Sequence, residues 1–198
     1  MKISDDIYSD VKKEYTRQLE IPRVKPKRQF ILCSIGLVGS GKTTVLKPLS
    51  KKLNLLRISA DEMRKLFKKR SYGYDRVKEL GFEIADDFLK KGFSIAVDSD
   101  CVSGESQKRI EKAAKKFCLK KIWIHINPSE EFILKKLKNF KHIWLFKDAE
   151  QAINNYFTQK PSHANIKLPF IYTFDTSKKD IDKQIEKAAK VISENLEK

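Results

Sequence analysis

A chain of 198 residues, 40% hydrophobic and 34% charged, carries enough apolar material for one compact core, and a domain of that length needs no disulfide or metal staples. No apolar run approaches the roughly 20 residues of a membrane span, and the three cysteines are odd in number without paired metal spacing, which predicts a reduced, cytoplasmic protein. The formal charge of +16 keeps polyanions among the candidate partners, but lysine dominates the excess and the bidentate arginine forks that nucleic-acid readers favour are few.

In chain order, Met1 to Asp10 is polar and acidic, which predicts no signal peptide. Ile7, Val11 and Tyr15, spaced four apart, suggest a short amphipathic helix. Pro22, Pro26 and the basic Lys25-Pro26-Lys27-Arg28 read as a linker. Residues 1–28 are therefore expected to form a helical extension and linker ahead of a domain over 29–198.

That domain opens with Phe30 to Ile35, a buried strand, followed by Gly36-Leu37-Val38-Gly39-Ser40-Gly41-Lys42-Thr43. The stretch matches the phosphate-binding loop at every fixed position. Glycines let backbone N–H groups turn inward around a phosphate chain, and the following helix, predicted from Thr43 to Leu53, points its positive end there. Lys42 would reach the outer phosphates and the Thr43 hydroxyl would help hold magnesium. Pro48 should kink this helix or end a turn.

Leu55 to Ser59 is a second strand running into a helix that starts at Ala60. A helix from about Tyr74 to Lys91 carries the stripe Val77, Leu80, Ile84, Phe88 and Leu89, and Gly92 closes it. Phe93 to Val97 is a third strand with Asp98-Ser99-Asp100 at its end. A helix over Glu105 to Phe117 precedes a fourth strand, Leu119 to Ile126. Asn127-Pro128-Ser129-Glu130 reads as a helix start with Asn127 as the cap, and that helix fades into a segment without clear periodicity. Pro169 to Phe174 is a fifth strand and Ser177 to Leu196 a terminal helix. Cys33 and Cys118 read as core residues and Cys101 as a loop residue.

Alternating strands and helices imply a five-stranded, mostly parallel sheet with helices on both faces, the α/β P-loop NTPase architecture. Ligands of such sheets bind at the carboxyl ends of the strands, where the loop, Asp61 and Asp98 all fall. Asp61 is the candidate base that takes the acceptor's proton, Arg64 one turn on is a candidate contact for an anionic acceptor, and Asp98 is the candidate magnesium partner of Thr43. His125 alternates within a strand and reads as a core or edge residue.

The loop, Ile58 to Arg64, Asp98-Ser99-Asp100, Asn127-Pro128 and Asp175-Thr176-Ser177 occur in an order that resembles the small P-loop kinases related to polynucleotide kinase and the zeta-toxin kinases, over residues 29 to 198. The resemblance implies ATP with magnesium and transfer of the γ-phosphate to a hydroxyl. It places Gly36, Val38, Gly39, Ser40, Gly41, Lys42, Thr43 and Thr44 on the nucleotide, Asp61 and Arg64 with the acceptor, and Thr176 on the adenine side. It also implies a helical lid over approximately 135–165, where relatives use phosphate-clamping arginines. The corresponding positions here are Lys136 and Phe140, and no arginine follows Arg109. Lysine either serves as the clamp at a cost in rate or leaves a nucleotide binder that transfers poorly. In Lys135 to Lys147, cations interleave with Phe140, His142, Trp144 and Phe146, as a lid packed through its aromatics or a platform for single-stranded bases. The sequence thus predicts an ATP-dependent kinase acting on the hydroxyl of a small-molecule acceptor. The alternatives are a 5′-hydroxyl polynucleotide kinase and a nucleotide-binding switch or nucleic-acid-binding module with little transfer.

Overall fold

In a computed structural model, residues 3–139 and 145–197 are described. The predicted α/β architecture is present: a five-stranded sheet in the order β2-β3-β1-β4-β5, every pairing parallel. The strands are β1 (Phe30–Ile35), β2 (Leu56–Ser59), β3 (Ile95–Asp98), β4 (Lys120–Ile126) and β5 (Phe170–Phe174). Between them run α2 (Lys42–Lys52), α3 (Ala60–Lys69), α4 (Val77–Lys90), α5 (Gly104–Lys116), α6 (Glu130–Lys138) and α7 (Ala149–Ala164), with α1 (Asp5–Gln18) before the sheet and α8 (Ile181–Glu197) after it.

Central β1 is buried along its whole length, so its apolar residues run without the polar alternation of a one-sided strand. Successive side chains still part to opposite faces. Ile31, Cys33 and Ile35 join one core with residues of α1, α3, α4 and α5, whereas Phe30 and Leu32 join a second core with α2 and α8. Burying both faces locks the register, because a one-residue slip would exchange the two cores.

The extension is integrated with the body. Val11 and Tyr15 of α1 are buried in the first core, Lys12 pairs with Glu83 at 2.6 Å, and Glu14 pairs with Arg70 at 2.6 Å. The Tyr15 hydroxyl accepts a hydrogen bond from the Ser59 backbone N–H at 2.7 Å. α1 therefore braces the end of β2, next to the site.

Several elements differ from expectation. α2 continues through Pro48 to Lys52. Pro48 and Thr44 are both exposed, so water can satisfy the carbonyl that proline leaves unpaired. Asn127 is not the cap of α6; Ser129 is, its hydroxyl accepting from the Phe132 N–H at 3.3 Å, which leaves Pro128 outside the helix. α4 begins at Val77 rather than Tyr74, while Gly92, at φ +81°, closes its end as expected. Cys101 is a loop residue as expected, though buried, whereas Cys118, expected in the core, is exposed after α5 with φ +53°. The segment without periodicity contains a full helix, α7, whose buried face amounts to Ala152 and Tyr156. These join Ile133 and Leu137 of α6 in a small third core that rests on Leu37 and Val38 of the loop after β1. The positions Phe140, Lys141, His142 and Trp144 of the cation–aromatic reading lie outside the described residues. No helix among the described residues is long and apolar enough to cross a membrane.

Candidate active site

β1 pairs with β3 on one side and β4 on the other, so the loop that leaves β1 sits where the sheet's connections diverge. This is the point at which parallel α/β sheets open a crevice. The loop's shape depends on small residues. A Cβ on Gly36 would lie 2.7 Å from the Ser40 hydroxyl oxygen and 2.8 Å from the Ile126 carbonyl oxygen, and Gly41 stands at φ +91° with Thr176 closing the space beside it. An L side chain is excluded by contact at the first and strained at the second.

Within the loop the Lys42 ammonium donates to the carbonyls of Gly36 at 2.5 Å and Leu37 at 3.0 Å. Thr176, from the loop after β5, donates its hydroxyl to the Ser40 carbonyl at 2.6 Å, tying the far strand to the loop. The Ser40 hydroxyl is buried and has no hydrogen-bond partner among the described residues.

Asp98 at the end of β3 is 4% exposed. It accepts from the Thr43 hydroxyl at 3.1 Å and from the Arg57 guanidinium at 2.5 Å. Burial lifts its carboxyl above the ordinary carboxylate range, and Arg57, Thr43 and Lys42 oppose that lift without cancelling it. Arg57, on β2, also pairs with Glu62 of α3. It is the counter-cation of the buried carboxylate. Thr43 and Asp98, predicted as a pair, are in hydrogen-bond contact.

Ser59 is the register partner of Asp98, so Asp61, two residues on and in the first turn of α3, stands at the same edge. The Asp61 carboxylate is 43% exposed and held by the Arg64 guanidinium at 2.5 Å. The two predicted acceptor residues thus form one unit facing outward. Thr44 lies exposed on the first turn of α2 and makes no hydrogen bond to the other predicted residues among the described residues. Val38 packs against the third core of α6 and α7, and Gly39, at φ +80°, faces Leu137 and Ile133 of α6.

Lys136 of α6 has its ammonium 5.9 Å from the Phe132 ring centroid. Burial pushes its ammonium below the ordinary lysine range and the charge of Lys42 adds to the effect. Two cations close enough to sense one another, without a carboxylate pairing with Lys136 among the described residues, mark a locus of positive potential.

Two residues that sequence reasoning passed over belong to this site. One is Arg57. The other is His163, at the end of α7, whose side chain is 7% exposed and lies 3.1 Å from Asp100 through Nε2. Its Nδ1 faces the Gln159 carbonyl at 3.0 Å. The Ser162 hydroxyl also lies 3.2 Å from Nδ1. Burial alone would lower its pKa; the Asp100 hydrogen bond and charge, with the Gln159 carbonyl, outweigh burial and raise it, against a smaller opposing push from Lys42. His125, half-buried, stacks on Phe170 at 4.7 Å, and burial together with the His163 charge pulls its pKa down.

The sheet order, the loop after β1 and the strand-end carboxylates define the fold of the small P-loop kinases. A family model described as the AAA domain matches residues 31–141, more than half of the chain, and the chain belongs to that family. Among solved structures it is similar to that of the PezAT chromosomal toxin–antitoxin system of Streptococcus pneumoniae, with TM-score 0.60 and 15% identity, covering 100% of this chain and 98% of that one. It is also similar to a gluconokinase from Sinorhizobium meliloti, with TM-score 0.57, 13% identity, and 86% and 96% of the two chains covered. The Mycobacterium tuberculosis APS kinase, in complex with AMPPNP and APS, aligns with TM-score 0.55 and 12% identity over 85% and 99%. At these identities the likeness is one of fold. No curated protein matches the sequence.

Proposed function

We propose that this protein is an ATP-dependent phosphotransferase that moves the γ-phosphate to a hydroxyl of a small acceptor. The observation that carries the reading is the convergence of the Lys42 ammonium, the Thr43 hydroxyl and the buried Asp98 carboxylate on one glycine-shaped loop. Magnesium fits this donor set: two hard oxygen ligands 3.1 Å apart, one of them a buried carboxylate, beside the loop that would hold the phosphates. Thr43 and Asp98 would hold the ion, which would offset the negative charge of the outer phosphates.

The chain's own residues then divide the work. Loop N–H groups and the N-terminus of α2 cradle the phosphates, with the unpartnered Ser40 hydroxyl in the same loop. Arg57 opposes the lift that burial gives the Asp98 carboxyl and so favours its charged form. Asp61 accepts the acceptor's hydroxyl proton as that oxygen attacks the γ-phosphorus and the bond to the β,γ-bridging oxygen breaks, giving ADP and a phosphoester. Arg64 holds the Asp61 carboxylate in one orientation. Lys42 and Lys136 supply positive charge where the transferred group is most negative, and lysine replaces the arginine clamp as a pair of point charges. Thr176, whose hydroxyl ties the loop after β5 to the Ser40 carbonyl, would stand on the adenine side.

Asp61→Asn tests this division. Removing the base should lower the rate of transfer by roughly 100-fold or more while ADP affinity by calorimetry stays within about threefold. Unchanged turnover in this variant would remove Asp61 from the mechanism and favour a nucleotide switch.

A further inference from the structure

Outside β2, at the sheet edge away from the phosphate-transfer crevice, lies a groove of about 500 Å³, the size of a nucleotide-binding pocket. Its walls come from the end of α1 and the chain after it, from α2 and from α3. Five cations line it, Lys47, Lys51, Arg57, Lys65 and Lys69, against the carboxylates of Glu20 and Glu62. Both carboxylates are already engaged: Glu20 pairs with Lys51 at 3.2 Å and Glu62 with Arg57. Lys47, Lys65 and Lys69 have no carboxylate within ion-pair distance among the described residues. Ser50, 3% exposed, lines the same wall with a hydroxyl that has no hydrogen-bond partner among the described residues. Beside these cations the chain after α1 contributes an apolar stretch, Ile21-Pro22, with Ile21 49% exposed.

Uncompensated ammonium groups around one concavity repel each other and raise the local concentration of anions. We propose that this groove binds a phosphate-bearing small molecule of nucleotide size, its phosphates on Lys47, Lys65 and Lys69 and its less polar part against Ile21 and Pro22. Arg57 connects the groove to the crevice, because the guanidinium that pairs with Glu62 here also holds Asp98 there. A ligand phosphate that draws on Arg57 therefore weakens its hold on Asp98, and by reciprocity an occupied crevice alters affinity in the groove. A nucleic-acid backbone presents the same phosphates from another source, and the experiment separates the two.

With ADP saturating the phosphate loop, binding of uridine 3′,5′-bisphosphate and of a short single-stranded oligonucleotide is measured for the native chain and three variants. Lys65→Glu/Lys69→Glu and Lys47→Glu alter two different walls. Lys108→Glu/Lys112→Glu makes the same charge change as the first on the remote α5, and circular dichroism establishes that each is folded. The expected result is a loss of about tenfold or more in bisphosphate affinity for both groove variants, with the α5 variant within about twofold of native. The proposal is overturned if the ADP-loaded native chain does not bind the bisphosphate, or if groove and α5 variants weaken it equally. It is also overturned if only the oligonucleotide shows the groove-specific loss, which would assign the groove to nucleic acid.

Discussion

Arg57→Met isolates the electrostatics of the crevice. In the native chain the Asp98 carboxylate, 4% exposed, has its charge offset by the Arg57 guanidinium at 2.5 Å. Methionine keeps most of the stem's packing and removes the cation. A buried charge that loses its partner costs about 3–5 kcal/mol. The Thr43 hydrogen bond survives and the freed Glu62 is half-exposed, so the lower end, about 3 kcal/mol, is the expected loss at neutral pH. At roughly 2–4 °C per kcal/mol for a chain of this length, the melting temperature falls by about 6–12 °C. The double variant Arg57→Met/Asp98→Asn removes the stranded charge and should recover more than half of that loss. The pH dependence follows from the sign of the shift. The Asp98 carboxyl is already raised by burial and rises further without Arg57, so protonation relieves the variant. Its deficit relative to native is full above the folded-state pKa and shrinks as pH falls through it. Urea denaturation at several pH values is the assay. A single variant within about 1 kcal/mol of native at neutral pH, or a double variant no more stable than the single, would refute the assignment of Arg57 as counter-cation.

Two further outcomes follow from the bracing of the site. Tyr15→Phe strands the buried Ser59 N–H that the phenol oxygen now satisfies and should destabilise by about 1–3 kcal/mol, read as a lower urea midpoint with unchanged slope. The His163–Asp100 pair anchors α7 to the end of β3, and the folded pKa of His163 is raised above its unfolded value. Its stabilisation is therefore full below about pH 6.5 and is lost as pH rises through the folded pKa. Melting of native protein and His163→Gln across that range should converge on the alkaline side, and a constant difference would remove the charged form.

What the sequence disclosed and what it withheld have physical reasons. The phosphate loop was legible because its chemistry is carried by backbone conformation, and contiguous glycines declare that locally. The strands were legible because a sheet covered on both faces writes itself as unbroken apolar runs. Thr43 and Asp98 could be paired in advance because Asp98 ends β3 and Thr43 follows the loop that leaves the neighbouring strand β1. Arg57 could not, since an arginine alternating within an edge strand reads as solvated until Asp98, 41 residues on, is placed beside it. His163 is hidden for the same reason: nothing near it announces Asp100. α7 escaped because two buried residues and an internal Pro161 leave little helical period to detect. The cap of α6 was misplaced because Asn127 and Ser129 are both good caps; the Asn127 N–H is instead taken by the Phe174 carbonyl at 2.8 Å.

The central claim, phosphoryl transfer at the Lys42–Thr43–Asp98 crevice, is tested most directly by following labelled γ-phosphate from ATP with magnesium. The acceptors are a pool of small hydroxyl metabolites and, separately, a 5′-hydroxyl oligonucleotide, with Lys42→Ala as the blank. The account predicts label on a small metabolite and none with Lys42→Ala. Label on the oligonucleotide alone would move the acceptor to nucleic acid, and ATP bound with no label on either acceptor would contradict the kinase reading.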